Sequence, residues 1–391
     1  DPLSYICCHV TFARFSGLMP GLDRAGAEIT IDLAAIRRNY TYLKERLGRD
    51  TELAAVLKAN AYGLGVHNVA RTLFQAGCRK YFVATLDEGI VLRAVIKEAR
   101  IYVLNGIVAN EFDDFFVHRL NPVLNSKSQV ERWQSKMQAT DGAKLSAALH
   151  VDTGMNRLGL SPQDVGILAE SPLKKFFLSL LMSHLACAET PLHPLNGIQL
   201  GRFSDVLEIL KLHSEKGMTL SLANSSGIFL GPDFHFDLAR SGAALFGINP
   251  TPSQPNPMSE VINFKAKIVQ VRRVDSPMTV GYGAAHRVKA PARIATVPVG
   301  YADGFIRALG ARASAYIGQF CVPVVGRVSM DAITLDVSSI PESLSQPGAI
   351  VDLIGGQRTL DTVAGEAGTI GYELLTRLGD RIPRAYLDGA D

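Results

Sequence analysis

The chain has 391 residues, with Lys plus Arg 40 against Asp plus Glu 37 and a net charge of +3, which excludes a nucleic-acid binder working by bulk charge. Apolar residues make up 47% and charged residues 20%, enough to bury a large core and too apolar for a disordered chain. The 35 glycines follow no collagen period, and no uninterrupted apolar run reaches about 18 residues, so no membrane-spanning helix is expected.

Residues 1–26 are moderately apolar but lack a basic start and a clean cleavage site. They read as an N-terminal extension rather than a signal peptide. From Ala27 the pattern becomes regular. Residues 28–31 read as a strand, Asp32 as an N-cap, and Leu33, Ile36, Tyr40, Leu43 and Leu47 as one helical face ending before Gly48. Short apolar runs follow at 53–57, 81–85, 101–104, 122–124, 145–151, 177–183, 219–223 and 237–239. Helical patterns at 66–76, 88–95, 127–138 and 195–215 alternate with them. Eight runs with helical crossovers are what a (β/α)8 barrel requires, although a doubly wound sheet shares the alternation. Pro250, Pro252, Pro255 and Pro257 then mark a linker. Beyond it, Val- and Ile-rich runs at 261–274, 292–299, 315–317, 321–325, 332–337 and 350–353 read as strands, with one helix at 361–378. The expected fold class is α/β, a (β/α)8 TIM-like barrel followed by a mostly-β C-terminal domain. Its divisions are an extension over 1–26, the barrel over 27–256 and the β domain over 257–391, whose sheet can also take the strand 27–32.

The cysteines, at 7, 8, 78, 187 and 321, are odd in number and form no C-x-x-C. Neither a disulfide framework nor a metal site is expected, and a reducing cytoplasm fits. The chemistry-bearing residues fall at strand ends. Lys58 closes the first apolar run, where a lysine is expensive unless it reaches solvent or a partner. Desolvated, it would have a depressed pKa and serve as a Schiff-base nucleophile. Arg157 follows the fifth run, His184 ends the sixth, Asn224, Ser225 and Ser226 follow the seventh, and Arg240, Ser241 and Gly242 follow the eighth. Each has an ordinary structural reading, as a snorkelling lysine, a satisfied histidine, a turn or an N-cap. Together they ring one barrel mouth, whose last two loops are the usual phosphate cradle. Lysine, barrel and phosphate cradle suggest pyridoxal phosphate (PLP).

At that point a family resemblance is plain. The segment Ala55-Val56-Leu57-Lys58-Ala59-Asn60-Ala61-Tyr62-Gly63 resembles the PLP signature of the alanine racemases. Asp152 to Gly159, Ala223-Asn224-Ser225, Gly281-Tyr282-Gly283-Ala284, Gly300-Tyr301-Ala302-Asp303-Gly304 and Gly326-Arg327-Val328-Ser329-Met330-Asp331 resemble further family motifs in the same order. The resemblance implies PLP-dependent interconversion of L- and D-alanine by two bases, supplying D-alanine for peptidoglycan. It implies that Lys58 carries PLP as a Schiff base and acts on the D-face proton. Tyr282 would act on the L-face proton, reaching into the partner's barrel across a head-to-tail homodimer. Tyr62, Ser225, Gly242 and Ala243 would bind the phosphate, Arg157 the phenolic oxygen, and Arg240 the pyridine nitrogen. His184 would stack near the ring or orient Tyr282. Met330 would offer its backbone N–H to the substrate carboxylate, with Arg157 beside it. Arg307 and Arg327 would line the access route, with His150, Tyr301 and Asp331 behind these contacts. Neither nucleic acid nor a membrane would be a partner.

The physics agrees with that division. Inverting a carbon centre takes bases on opposite faces of a planar carbanion. Lysine and tyrosine, ordinarily near 10.4 and 10, must be tuned downward, and the cations Arg157, Arg240 and Arg327 would do so. An arginine facing the pyridine nitrogen leaves it unprotonated and limits leakage to transamination. Two departures stand out. Many members carry a carbamylated lysine seven positions before Arg157, where this chain has His150. Some use a tyrosine near the C-terminus at the phosphate, where a gapless reading up to Arg381-Ile382-Pro383-Arg384 puts Asp380. A racemase of broader substrate such as serine, a PLP-binding protein without turnover, and a PLP decarboxylase remain the rival readings. The last usually places an acid where Arg240 stands.

Overall fold

A computed structural model of the chain describes residues 20–109, 111–139, 145–170, 178–210 and 218–388. Its first strand, β1 (Ala27–Asp32), runs into a helix over Leu33–Glu45 whose N-cap Asp32 side chain accepts from the Ala35 N–H. Eight parallel strands follow: β2 (Glu52–Val56), β3 (Lys80–Val83), β4 (Arg100–Val103), β5 (Asn121–Leu124), β6 (Ala147–His150), β7 (Leu178–Met182), β8 (Thr219–Ser221) and β9 (Leu238–Ser241). Their order is β8-β7-β6-β5-β4-β3-β2-β9. β8 and β9 come together through Asp237 N–H to the Leu220 carbonyl at 3.1 Å and Arg240 N–H to the Ala223 carbonyl at 2.9 Å. The barrel is therefore nearly closed, and its loosest seam lies beside Arg240.

The strands fill the barrel with alternate side chains, as a closed sheet must. Phe82 and Tyr102 stack at 4.8 Å between ring centroids, fully buried with Val123, Leu180 and Leu238. Each such side chain contributes roughly 1.5–3 kcal/mol by burial. This layer fills the barrel interior and leaves the C-terminal mouth for polar groups.

The second sheet is built from β1 and eight later strands, and two further strands form a separate hairpin. These are β10 (Ile262–Lys267), β11 (Gln270–Val274), the separate hairpin β12 (Met278–Val280) and β13 (His286–Val288), β14 (Ala292–Val297), β15 (Ser314–Ile317), β16 (Phe320–Val325), β17 (Ile333–Asp336), β18 (Ile350–Ile354) and β19 (Arg384–Leu387). The sheet order is β11-β14-β17-β16-β15-β18-β10-β1-β19. β1 lies antiparallel to β10 and parallel to β19, so the first strand of the regular region belongs to this sheet and not to the barrel.

Several expected elements are redrawn. The run 261–274 is two strands, because β10 pairs with β1 and β18 whereas β11 pairs with β14. The helix at 361–378 is two helices, Leu360–Ala367 and Gly371–Thr376, broken where Gly368 adopts φ +69° and caps the first. Helices at Phe112–Val117 and Pro162–Glu170 and the β12–β13 hairpin were not anticipated. The helix expected at 195–215 spans Pro194–Ile209, and its expected end lies outside the described residues. Residue 177 and most of the extension 1–26, with Cys7 and Cys8, also lie outside them. Among the described residues no helix is long and apolar enough to cross a membrane.

Candidate active site

A cavity of about 390 Å³ opens at the C-terminal mouth of the barrel, lined among others by Lys58, Tyr62, His150, Arg157, His184 and Arg240. Ser225, Gly242, Ala243 and Tyr372 complete the wall that concerns us here. Nine of the residues predicted from sequence are thus brought together.

Lys58 opens a turn of unusual hand. Ala59, Asn60, Ala61 and Tyr62 all have φ between 53° and 55°, a left-handed winding that costs about 1–2 kcal/mol per non-glycine residue. Its surroundings hold it. The Ala61 N–H donates to the Leu57 carbonyl at 2.9 Å and the Gly63 N–H to the Ala59 carbonyl at 2.7 Å. The Asn60 side-chain oxygen accepts from the Val66 N–H at 2.8 Å, and the Glu88 carboxylate accepts from the Ala59 N–H at 2.7 Å. The turn throws both Lys58 and Tyr62 into the cavity. Desolvation, then the Arg157 cation, push the Lys58 amine below its usual range, while Glu88 opposes them. Tyr62 is raised by burial and stays protonated, a donor at neutral pH.

The wall opposite is a cradle of small donors. Ser225 Oγ accepts from the Gly242 N–H at 3.1 Å and the Ala244 N–H at 3.3 Å, and lies 3.1 Å from Ser241 Oγ. A Cβ at Gly242 would meet the Tyr62 hydroxyl at 2.3 Å. Glycine therefore leaves room for the Tyr62 hydroxyl.

Arg240 is buried at the β8–β9 seam. It donates to Ser221 Oγ, to the Ser183 carbonyl at 2.5 Å and to the Leu222 carbonyl at 3.4 Å. It also donates to His184 Nδ1 at 3.4 Å. A guanidinium has no lone pair, so Nδ1 of His184 is the acceptor and its proton sits on Nε2. Burial and the cations Arg240 and Arg157 hold His184 neutral by pushing it well below its ordinary value. Burial lowers Arg240 to about 9, which leaves it a cation at neutral pH.

Arg157 rides on a loop built around Asp152. That carboxylate accepts from the N–H groups of Gly154, Met155 and Asn156 at 2.9–3.2 Å. The loop returns as Leu160, whose N–H donates to the His150 carbonyl at 2.8 Å. Gly159 (φ +110°) is required, because a Cβ there would meet the Asp152 backbone nitrogen at 2.7 Å.

One reading needs correction. Asp380 is fully exposed, 3.9 Å from Arg384, and does not line the cavity. A tyrosine is present nonetheless: Tyr372, on the helix Gly371–Thr376, lines the cavity with its ring centroid 6.0 Å from that of Tyr62. Counting back from Arg381 stops at Asp380, in the loop after this helix and eight residues beyond Tyr372. Tyr282, Tyr301, Arg307, Arg327 and Met330 do not line this cavity. They lie exposed on the C-terminal domain, Tyr282 at the tip of the β12–β13 hairpin with 71% of its surface accessible. A Cβ at Gly283 would meet the Arg327 guanidinium at 3.0 Å, so that cation packs against the Tyr282 turn. The Tyr301 and Ala302 N–H groups donate to the Ser329 and Met330 carbonyls. Arg381 ties Asp303 to Asp331 at 2.5 Å each, which fixes the Met330 segment from behind.

Residues 31–250 match the family described as alanine racemase, N-terminal domain, and residues 261–386 match alanine racemase, C-terminal domain. The chain belongs to the alanine racemase family. With it the chain is assigned to the isomerases. Alanine racemase of Rhodospirillum rubrum is 50% identical over 367 residues, 93% of this chain and 96% of the relative. The catabolic alanine racemase of Mesorhizobium japonicum is 45% identical over 93% of this chain and 94% of its own length. The crystal structure of alanine racemase from Bartonella henselae with covalently bound pyridoxal phosphate superposes with TM-score 0.88 at 39% identity, over 93% of this chain and 99% of that one. The barrel and the β domain are thus those of an alanine racemase.

Proposed function

We propose that the chain racemises L- and D-alanine with PLP held at the barrel mouth, in a head-to-tail homodimer whose two active sites each take a base from both subunits. The observation that carries the reading is Lys58, an amine with a lowered pKa at a strand end, sharing one cavity with the Ser225 hydroxyl and with the Tyr62 hydroxyl, for which Gly242 leaves room. The covalently bound PLP of the Bartonella henselae enzyme supports the same cofactor here.

The residues fit that group. Tyr62 and Ser225 offer hydroxyls to a phosphate, with Gly242 and Ala243 leaving the backbone close. Tyr372 caps the same end. Arg240 donates only, so it would suit an unprotonated ring nitrogen as its acceptor. Arg157, held on its loop by Asp152, suits a phenolate oxygen and a substrate carboxylate. When bound, PLP supplies an electron sink that makes the α-proton of alanine removable.

Proton traffic falls to this chain's side chains. Tyr282 of a second copy takes the α-proton from the L face while the Lys58 ammonium returns one to the opposite face; the reverse direction exchanges the roles. The depressed pKa of Lys58 lets its amine act near neutrality. The exposed Tyr282 turn, with Arg327 against it and the Met330 segment nearby in sequence order, is the surface that a partner's barrel would cover. Within one subunit Tyr282 is exposed and does not line the Lys58 cavity, which supports the shared site.

Enantiomers have equal free energy, so the protein cannot set a net direction; consumption of one product does. D-alanine supply for peptidoglycan is the role we assign, in the cytoplasm, where Cys187 and Cys321 remain free thiols. The catabolic name of one relative keeps L-alanine supply as the second reading. The purified protein with PLP should form D-alanine from L-alanine at equal limiting amounts, and loss of the gene should create a D-alanine requirement. No turnover on alanine, with turnover on serine, would assign a different racemase. Growth without D-alanine in a strain lacking any other racemase would favour the catabolic role.

A further inference from the structure

His150 is buried at the end of β6, and Asn125 follows β5 by one residue. The parallel register sets Leu124 opposite Leu149, which brings the next pair, Asn125 and His150, side by side at the barrel mouth. Asn125 Oδ1 and His150 Nδ1 lie 2.8 Å apart. Both amide protons of Asn125 are already committed, to the Leu104 carbonyl at 2.8 Å and the Val123 carbonyl at 2.9 Å. Turning the amide over would set its oxygen against two carbonyl oxygens and leave buried groups unpaired. Oδ1 is therefore an acceptor, and His150 must carry its proton on Nδ1.

That leaves Nε2 as a lone pair. It has no hydrogen-bond partner among the described residues, and His150 lines the cavity. The charged and titratable groups around it are Arg240, Arg157, Asp152 and His184. Burial and the two guanidiniums lower His150 to about 4, against the pull of Asp152, so the imidazole is neutral in use. Of the two arginines, Arg240 already directs Nη2 at Ser183, Leu222 and His184 and one Nη1 proton at Ser221, which leaves only Nε–H and one Nη1–H. Arg157 spends none on any described residue, although it lines the same cavity.

We infer that Asn125 and His150 are positioning residues for the racemisation: Asn125 fixes the imidazole as a hydrogen-bond acceptor, and His150 Nε2 receives an N–H of Arg157 and holds its guanidinium toward the cofactor's ring oxygen. The inference rests on the PLP reading above. A neutral acceptor does this work with no added charge, so the site recruits neither a carbamate nor a bound anion. The geometry also makes the acceptor permanent, since Asn125 cannot turn.

The test begins on protein without cofactor. Long-range proton–nitrogen spectra of a 15N-histidine sample identify His150 by the signal missing in His150→Gln. Neutral His150 protonated at Nδ1 from about pH 8 to about pH 5 is expected, and Asn125→Ala should yield a mixture of tautomers. A wild-type Nε2–H tautomer, or an imidazolium in that range, overturns the inference. With PLP bound, wild-type rates should not respond to removing bicarbonate or to exchanging chloride for a bulky anion. His150→Ala should lose roughly ten- to a hundredfold in kcat/KM, and His150→Gln, which keeps an acceptor oxygen, should lose less. A wild-type requirement for bicarbonate or chloride overturns the inference even if the enzyme is a racemase. Absent racemisation and PLP binding instead refute the function, while the tautomer spectrum still decides how Asn125 sets His150.

Discussion

Glu88 Oε1 accepts the Ala59 N–H at 2.7 Å and so pins the left-handed turn that begins at Lys58 to the helix Leu86–Val95. Its Oε2 accepts the Ala84 N–H at 2.7 Å and the Thr85 N–H at 3.4 Å, the latter as half of a capping box. One carboxylate thereby joins the loops after β2 and β3. Glu88→Ala leaves the Ala59 and Ala84 donors without their acceptor, at a cost of about 1–3 kcal/mol in stability. It also removes the charge that raises the Lys58 pKa, so the amine should lose its proton at lower pH. Urea unfolding and the pH–rate profile together check this. An acid limb that moves upward would contradict the electrostatic assignment.

Lys58→Ala should abolish both turnover and the visible absorbance of bound PLP, because the proposed function makes this amine the covalent anchor and a base. Tyr282→Phe should keep PLP and lose roughly 10²–10⁴ in rate, the usual worth of general acid–base help. Exchange of the L-alanine α-proton with deuterium should fall more than that of D-alanine. Mixing the two inactive variants is the sharper experiment. Shared sites leave one intact pair, Lys58 from one subunit and Tyr282 from the other, so activity should return as subunits exchange. Verified subunit exchange with no recovery would place both bases in one chain.

What could be read from the residues divides along sequence distance. Lys58, Tyr62 and Arg157 sit in contiguous motifs at strand ends, and alternating runs located β2 to β9 closely. β1 was recognised as a strand, but its partners β10 and β19 lie more than two hundred residues away, and no local pattern names them. Tyr372 was missed because counting back from Arg381 stopped at Asp380, in the loop after its helix, and Asn125 because its partner depends on strand register. The hairpin carrying Tyr282 is short and largely exposed, so it shows no apolar alternation to read.

Arg240 is surrounded by acceptors: the Ser183 and Leu222 carbonyls, Ser221 Oγ and His184 Nδ1. Arg240→Glu would put a carboxylate against carbonyl oxygens, and should cost more in stability than it reveals about the ring nitrogen. Arg240→Gln is milder, yet strands some of these acceptors at about 1–3 kcal/mol each. The expected order of melting temperature is wild type, then Arg240→Gln, then Arg240→Glu. The expected effect on chemistry is slower racemisation with more transamination in both variants. Unchanged partition between the two products would mean that Arg240 does not govern the ring nitrogen.

Acid should unfold the protein partly through its two buried mouth histidines. His150 is lowered from 6.5 to about 4, by burial first and Arg240 next, and His184 is lowered in the same sense. The unfolded chain then binds more protons than the folded one between those values, so stability falls as pH falls through that window. A shift of this size for His150 corresponds to about 3 kcal/mol in full, of which about 2 kcal/mol is lost by about pH 5. The contribution is fully present above the unfolded value, near neutrality. His150→Gln removes one titrating group, so its urea-unfolding free energy should fall less steeply from about pH 7 to about pH 5. A slope equal to that of wild type would mean that His150 is already protonated in the folded protein.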